Sequence, residues 1–260
     1  MHDIEMDEVS DEFARCWQAA GRHIETKAQG PLHSWLKVDL NPPFLEHLSF
    51  RLGNQLFFIR IEDVDEKLAV PGSRKALRYV AEGCKGHPCL MPMRRWAGTW
   101  APESLGWGLV EERTGKPIDP IELVTDERIE MTDWELQDFA VQMVRDHLEK
   151  NGKKLMSWQG NPAVDPSIWF VEDSEPEWVV VRTVRYPTLK ANPPSNWQQI
   201  AERCARLGRA GHFASVSVAN ADDAFDPSGA VPPEPLWRGH GMAVRFEGLV
   251  SGPAGSAPPT

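Results

Sequence analysis

Glu177-Trp-Val-Val-Val-Arg-Thr-Val-Arg-Tyr186 and, further on, His212-Phe-Ala-Ser-Val-Ser-Val-Ala219 are the two stretches on which the reading of the fold turns. Both are short and rich in β-branched residues, which fit a pleated, buried surface. Between them Pro193-Pro194-Ser195 opens a helical segment that carries Ile200, Cys204 and Leu207 and closes at Gly208. Before them, Thr132-Asp133 followed by Trp134-Glu135 reads as a capped helix start. Leu136, Phe139, Ala140, Met143, Val144 and Leu148 then recur at helical spacing until Asn151-Gly152 ends the run. Stretches 154–158 and 165–172 read as strands, with 173–176 as the turn into the quoted segment, and 241–248 reads as a last strand. The order is αβββαβ with a further strand following.

Moved back by roughly 123 positions, the same order recurs. A helix over 10–24 presents Phe13, Cys16, Trp17 and Ala20 on one face. Ser34-Trp35 falls opposite Ser157-Trp158, Pro43 opposite Pro166, and Arg60 opposite Arg182. A hairpin over 47–62 matches the later strand pair, and Leu77, Ala81 and Cys84 match Ile200, Cys204 and Leu207. Gly86-His87 and Gly211-His212 each lead into a strand. Repeats of this kind decide the architecture. The expectation is an α/β (α+β, mixed-sheet) protein of two tandem αβββαβ units over 1–123 and 124–250, with 251–260 a disordered tail by composition. Arg60 should then superpose on Arg182 and His87 on His212, and Trp35 and Trp158 should be buried in equivalent places.

Composition narrows the classes. The 41% apolar and 25% charged fractions are those of a globular chain, and no apolar run approaches a membrane span. The acidic start, Met1-His-Asp-Ile-Glu5, differs from a secretion signal, so a cytoplasmic location is expected. Four scattered cysteines form no disulfide framework. Cys84, His87 and Cys89 are spaced unlike a common zinc module, and buried thiols are the reading. A net charge of −10 argues against coating nucleic acid by bulk electrostatics, although local basic patches are compatible with it.

From Trp134 to Val218 the chain resembles the PD-(D/E)XK nuclease-like superfamily of bacterial restriction-endonuclease type. Gly152 ends the helix, Asp165 in Val-Asp-Pro-Ser-Ile-Trp takes the position of the first acidic motif, and Trp178-Val-Val-Val-Arg182-Thr that of the second. The resemblance implies a mixed sheet with the strand at His212 parallel to the strand at Glu177 and inside the sheet. It also implies metal-dependent phosphodiester cleavage, for which the departures matter. Val180 stands where the second carboxylate belongs and Arg182 where lysine belongs. Valine holds no metal, and arginine stays charged but does not hand over a proton. In the first unit Pro42 and Phe58 take the acidic positions.

The expected function is therefore that of a non-catalytic binding protein made of two degenerate nuclease-like units, with a protein or nucleic-acid partner, no membrane association, and no cofactor. A homo-oligomer is compatible with this. One enzymatic alternative is a migrated site in which Glu135 on the helix joins Asp165 to hold magnesium or manganese, with Arg182 facing phosphate. Another is an acidic secretion-chaperone-like protein, whose sheet is antiparallel at His212. Arg60, Arg203, Arg206, Arg209, Lys153, Lys154 and His212 are the candidate binding residues, the last also as an acid–base group. If Arg182 is buried, its guanidinium needs a carboxylate or several carbonyls.

Overall fold

A computed structural model of the chain describes residues 10–29, 47–208, 210–222, 225 and 232–252. The chain divides into two compact units, Met1–Glu127 and Arg128–Thr260. Each described unit is a mixed six-stranded sheet with helices.

The first unit opens with α1 (Asp11–Lys27), whose first turn is capped by the Ser10 hydroxyl accepting from the Phe13 N–H at 3.2 Å. Its apolar stripe, with Phe13, Cys16, Trp17, Ala20 and Ile24, is buried against the sheet. Strands β1 (Leu48–Leu52) and β2 (Gln55–Asp63) form an antiparallel hairpin, and α2 (Arg74–Gly83) then carries the chain to β3 (His87–Trp96), parallel to β2. Strands β4 (Thr99–Pro102) and β5 (Leu109–Glu111) pair antiparallel with β3, at its C-terminal and N-terminal parts respectively. The short β6 (Pro117–Ile118) pairs with β5, and α3 (Pro120–Leu123) ends the unit.

The second unit opens with α4 (Asp133–Lys150), held by a capping box. The Thr132 hydroxyl accepts from the Glu135 N–H at 3.3 Å, and the Glu135 carboxylate accepts from the Thr132 N–H at 2.8 Å. Gly152, at φ +75°, supplies the left-handed residue that closes this helix. Three antiparallel strands follow: β7 (Lys154–Trp158), β8 (Ile168–Glu172) and β9 (Glu175–Arg185). Helix α5 (Trp197–Cys204) leads to β10 (Gly211–Asn220), which runs parallel to β9 and lies inside the sheet. Strands β11 (Met242–Phe246) and β12 (Val250–Ser251) pair antiparallel with the C-terminal and N-terminal parts of β10.

The central strands of the two sheets, β1-β2-β3 and β8-β9-β10, share an order and a register. Phe57 faces His87 across β2–β3, and Arg60 follows three positions later, facing Leu90. Val179 faces His212 across β9–β10, and Arg182 follows three positions later, facing Ser215. Residues 30–46, with Trp35, Pro42 and Pro43, lie outside the described residues. Arg209 and 253–260 do as well.

Several expectations need correcting. The stretch 165–172 becomes strand only at Ile168, with Asp165, Pro166 and Ser167 preceding it as irregular chain. Helix α5 stops at Cys204, and Leu207 beyond it is 66% exposed, so it does not extend the apolar face. Trp158, in contrast, is substantially covered as expected: it packs against the core under α4, and the Arg145 guanidinium lies over its ring at 4.7 Å. Ser251, read as the start of the tail, is a strand residue paired with His212.

The Gly-His steps have a packing cause. A Cβ on Gly86 would meet Phe58 Cε2 at 2.6 Å, and one on Gly211 would meet the Trp178 ring at 2.1 Å. In both units an aromatic ring from the parallel neighbour crosses the start of the strand where a side chain would stand. Gly211→Ala should lower stability by about 1–3 kcal/mol, read as a lower midpoint in chemical denaturation; an unchanged midpoint would show that Trp178 moves aside at no cost.

Candidate functional site

Alternation along β9 assigns its side chains to two faces. Val179 and Val181 pack with Leu136, Ala140 and Val144 of α4, whereas Trp178 and Val180 pack with Trp197, Ile200 and Cys204 of α5. Arg182 belongs to the α5 face. There its guanidinium donates to both oxygens of Asp165, at 2.8 and 2.5 Å, and to the Val181 carbonyl at 2.9 Å. The Asp165 side chain is 10% exposed and that of Arg182 23%. This is a two-pronged, half-buried ion pair, the geometry in which arginine and carboxylate bind most firmly.

Glu135 does not join it. Its oxygens accept from Arg238 at 2.8 and 2.9 Å, and both side chains are 1% exposed. The same carboxylate closes the capping box of α4, on the opposite face of the sheet from Arg182. The migrated pair of the enzymatic alternative is thus divided between two ion pairs. Val180, under α5, offers no ligand. Among the described residues no group of three or more His, Cys, Asp or Glu side chains is placed to hold a metal ion, including around Cys84, His87 and Cys89. The donor set at Asp165 does not fit the two-carboxylate site that the resemblance implies.

The other candidates disperse. Arg60 donates to the carbonyls of Val70 (3.1 Å) and Pro71, so the equivalent of Arg182 secures the loop into α2. Arg203 and Arg206 are exposed on and just beyond α5. Lys153 pairs with Glu172, and Lys154 is exposed at the start of β7. Because α4 and α5 cover opposite faces, Lys153 and Arg203 do not form one basic patch.

His212 is placed differently. Its Nε2 lies 2.6 Å from the Glu177 carboxylate, which is 6% exposed, and its ring packs against Phe170. In the first unit His87 Nε2 meets Gln55 Oε1 at 3.0 Å. Gln55 and Glu177 each stand two positions before the residue that faces the histidine. The second unit also has a cleft here, of about 460 Å³, at the C-terminal end of α4. His147, Asn151, Lys153, Glu172, His212 and Ser251 line it, over a floor that includes Phe170. Sequence reading reached His212 and Lys153 but missed Glu177, His147 and Ser251. The shared register, carried two residues further, would have matched Glu177 to Gln55.

One titratable group on α4 is strongly perturbed. Burial pushes the Asp138 carboxyl up to about 7, against a hydrogen bond from Gln142 and the nearby charge of Arg145, which lower it. Between its ordinary value and about 7 the folded state holds a proton that the unfolded state has lost. Stability should therefore fall as pH rises from about 4 to about 7. Asp138→Asn should flatten that part of a melting-temperature profile; a parallel profile would contradict the assignment. Separately, Glu135→Ala should cost about 3–5 kcal/mol, because it leaves Arg238 buried without its carboxylate. A loss below about 1 kcal/mol, the scale of an exposed pair, would contradict that.

With the geometry described, comparison with known proteins adds one match. Residues 134–251 match a family described as a domain of unknown function (DUF8840). The matched span runs from the first turn of α4 to β12, and so takes in both Asp165–Arg182 and the His212 cleft. No curated protein and no solved structure matches the chain.

Proposed function

We propose that the chain is a binding protein built by internal duplication from two nuclease-like units, and that it does not cleave phosphodiester bonds. The observation that carries this is the Asp165–Arg182 pair. The acidic residue that would hold a metal is engaged by the residue standing at the lysine position, and Val180 stands at the second acidic position. The parallel pairing of β9 and β10 supports a nuclease-like unit over a chaperone-like one, which would be antiparallel there. The common order and register of the central strands support the duplication. Four free, buried thiols support a cytoplasmic setting.

For a partner, the α5 side offers Arg203 and Arg206, both exposed. Guanidinia of this kind suit a phosphate backbone, with an acidic protein surface as the other outcome. The test incubates purified protein with single- and double-stranded DNA and RNA in magnesium or manganese, and measures binding by fluorescence anisotropy in parallel. No cleavage is expected, either from wild type or from Asp165→Ala. Any binding should weaken several-fold in Arg203→Glu/Arg206→Glu. Cleavage abolished by Asp165→Ala would overturn the proposal.

A further inference from the structure

The cleft at the end of α4 carries chemistry that the nuclease-like reading does not use, on residues from the other face of the sheet. Glu177, His212 and Ser251 lie on β9, β10 and β12, three adjacent strands. Val179 faces His212, so Glu177, two residues before it, shares the same face. On the other side Ser251 faces His212 directly. The Gly252 N–H donates to the Gly211 carbonyl at 2.9 Å, which makes that the hydrogen-bonded pair and His212–Ser251 the adjoining non-hydrogen-bonded one. Facing side chains approach most closely in such pairs, with Cβ atoms about 4.5–5.5 Å apart. An acid, an imidazole and a hydroxyl are therefore borne by neighbouring positions of three adjacent strands, and His212 and Ser251 both line the cleft.

The acid is the informative member. In the first unit the equivalent tie is made by Gln55, a neutral group. A carboxylate buried to 6% exposure is a more demanding way to make one hydrogen bond. What it adds is charge. A carboxylate only accepts, so Nε2 of His212 carries the proton and Nδ1 of the neutral ring is a base. Glu177 also stabilises the imidazolium that forms when that base takes a proton, the role of the acid in hydrolytic triads.

We propose that Ser251 is a nucleophile for acyl transfer, with His212 as its general base and Glu177 as the positioning residue, acting on small esters whose acyl group rests over Phe170 and Leu249. Ser251 Oγ attacks the ester carbon as its proton passes to His212 Nδ1, and the same proton then goes to the departing alkoxide as its C–O bond breaks. Water attacks the acyl-serine, gives a proton to Nδ1 and thence to Ser251 Oγ, and the carboxylic acid leaves. The inference is independent of the proposed function, since neither Asp165 nor a partner enters it.

The test treats the full-length protein with a fluorophosphonate probe and maps the adduct by peptide mass spectrometry, a readout on the wild type that needs no variant to fold. One adduct, on Ser251, is expected, and Ser251→Ala should remove it. His212→Gln should slow labelling by about 100-fold or more. With a p-nitrophenyl butyrate substrate, Glu177→Gln should lower kcat and leave KM in place, a split that a merely structural role would not produce. No adduct, an adduct on another residue, or labelling indifferent to His212→Gln in a variant with an unchanged circular-dichroism spectrum would overturn the proposal.

Discussion

The parallel pairing of β9 with β10 is the constraint on which the second unit depends. A parallel pair cannot be closed by a tight turn, so the chain must cross one face of the sheet between the strands, and α5 makes that crossing. With α5 on one face and α4 on the other, β9 is buried on both sides, and Val179, Val180 and Val181 are all fully buried. Arg182 follows directly. Its side chain leaves the strand on the α5 face near the edge of the apolar layer, where an uncompensated charge would be costly. Asp165 satisfies it from the irregular chain before β8. In the first unit Arg60 meets the same demand with loop carbonyls and with the Glu62 carboxylate at 3.7 Å. One positional requirement has thus been met by two different sets of acceptors.

Much of this was legible in the chain because it is written locally. Ser10, Thr132 and Gly152 mark helix ends through bonds to their own neighbours. Val179 to Val181 mark a strand through their branching. Gly86-His87 and Gly211-His212 mark strand starts through a steric need for a missing Cβ. Comparing the halves then aligned Arg60 with Arg182, which the registers of the two sheets reproduce.

The rest depends on pairings between distant parts of the chain, which periodicity does not encode. Glu135 looks like a helix-capping acid and is one, yet it also neutralises Arg238 across 103 residues. Ser251 sits among Gly, Pro and Ala and reads as tail, but β10 has an unoccupied edge at its N-terminal part that β12 fills. Glu177 looks like a solvated acid at the start of a strand, and only its neighbour His212 on the parallel strand explains its burial. The division of Glu135 from Asp165 likewise comes from the sheet face each occupies.

The account of the α5 face stands on Asp165 and Arg182 being one structural unit. A double-mutant cycle measures this directly, comparing unfolding free energies of Asp165→Asn, Arg182→Met and the double variant with wild type, each with and without manganese. The account predicts a coupling of about 1–3 kcal/mol, with manganese changing none of the four stabilities. Additive losses, together with stabilisation of the wild type by manganese that Asp165→Asn abolishes, would contradict it.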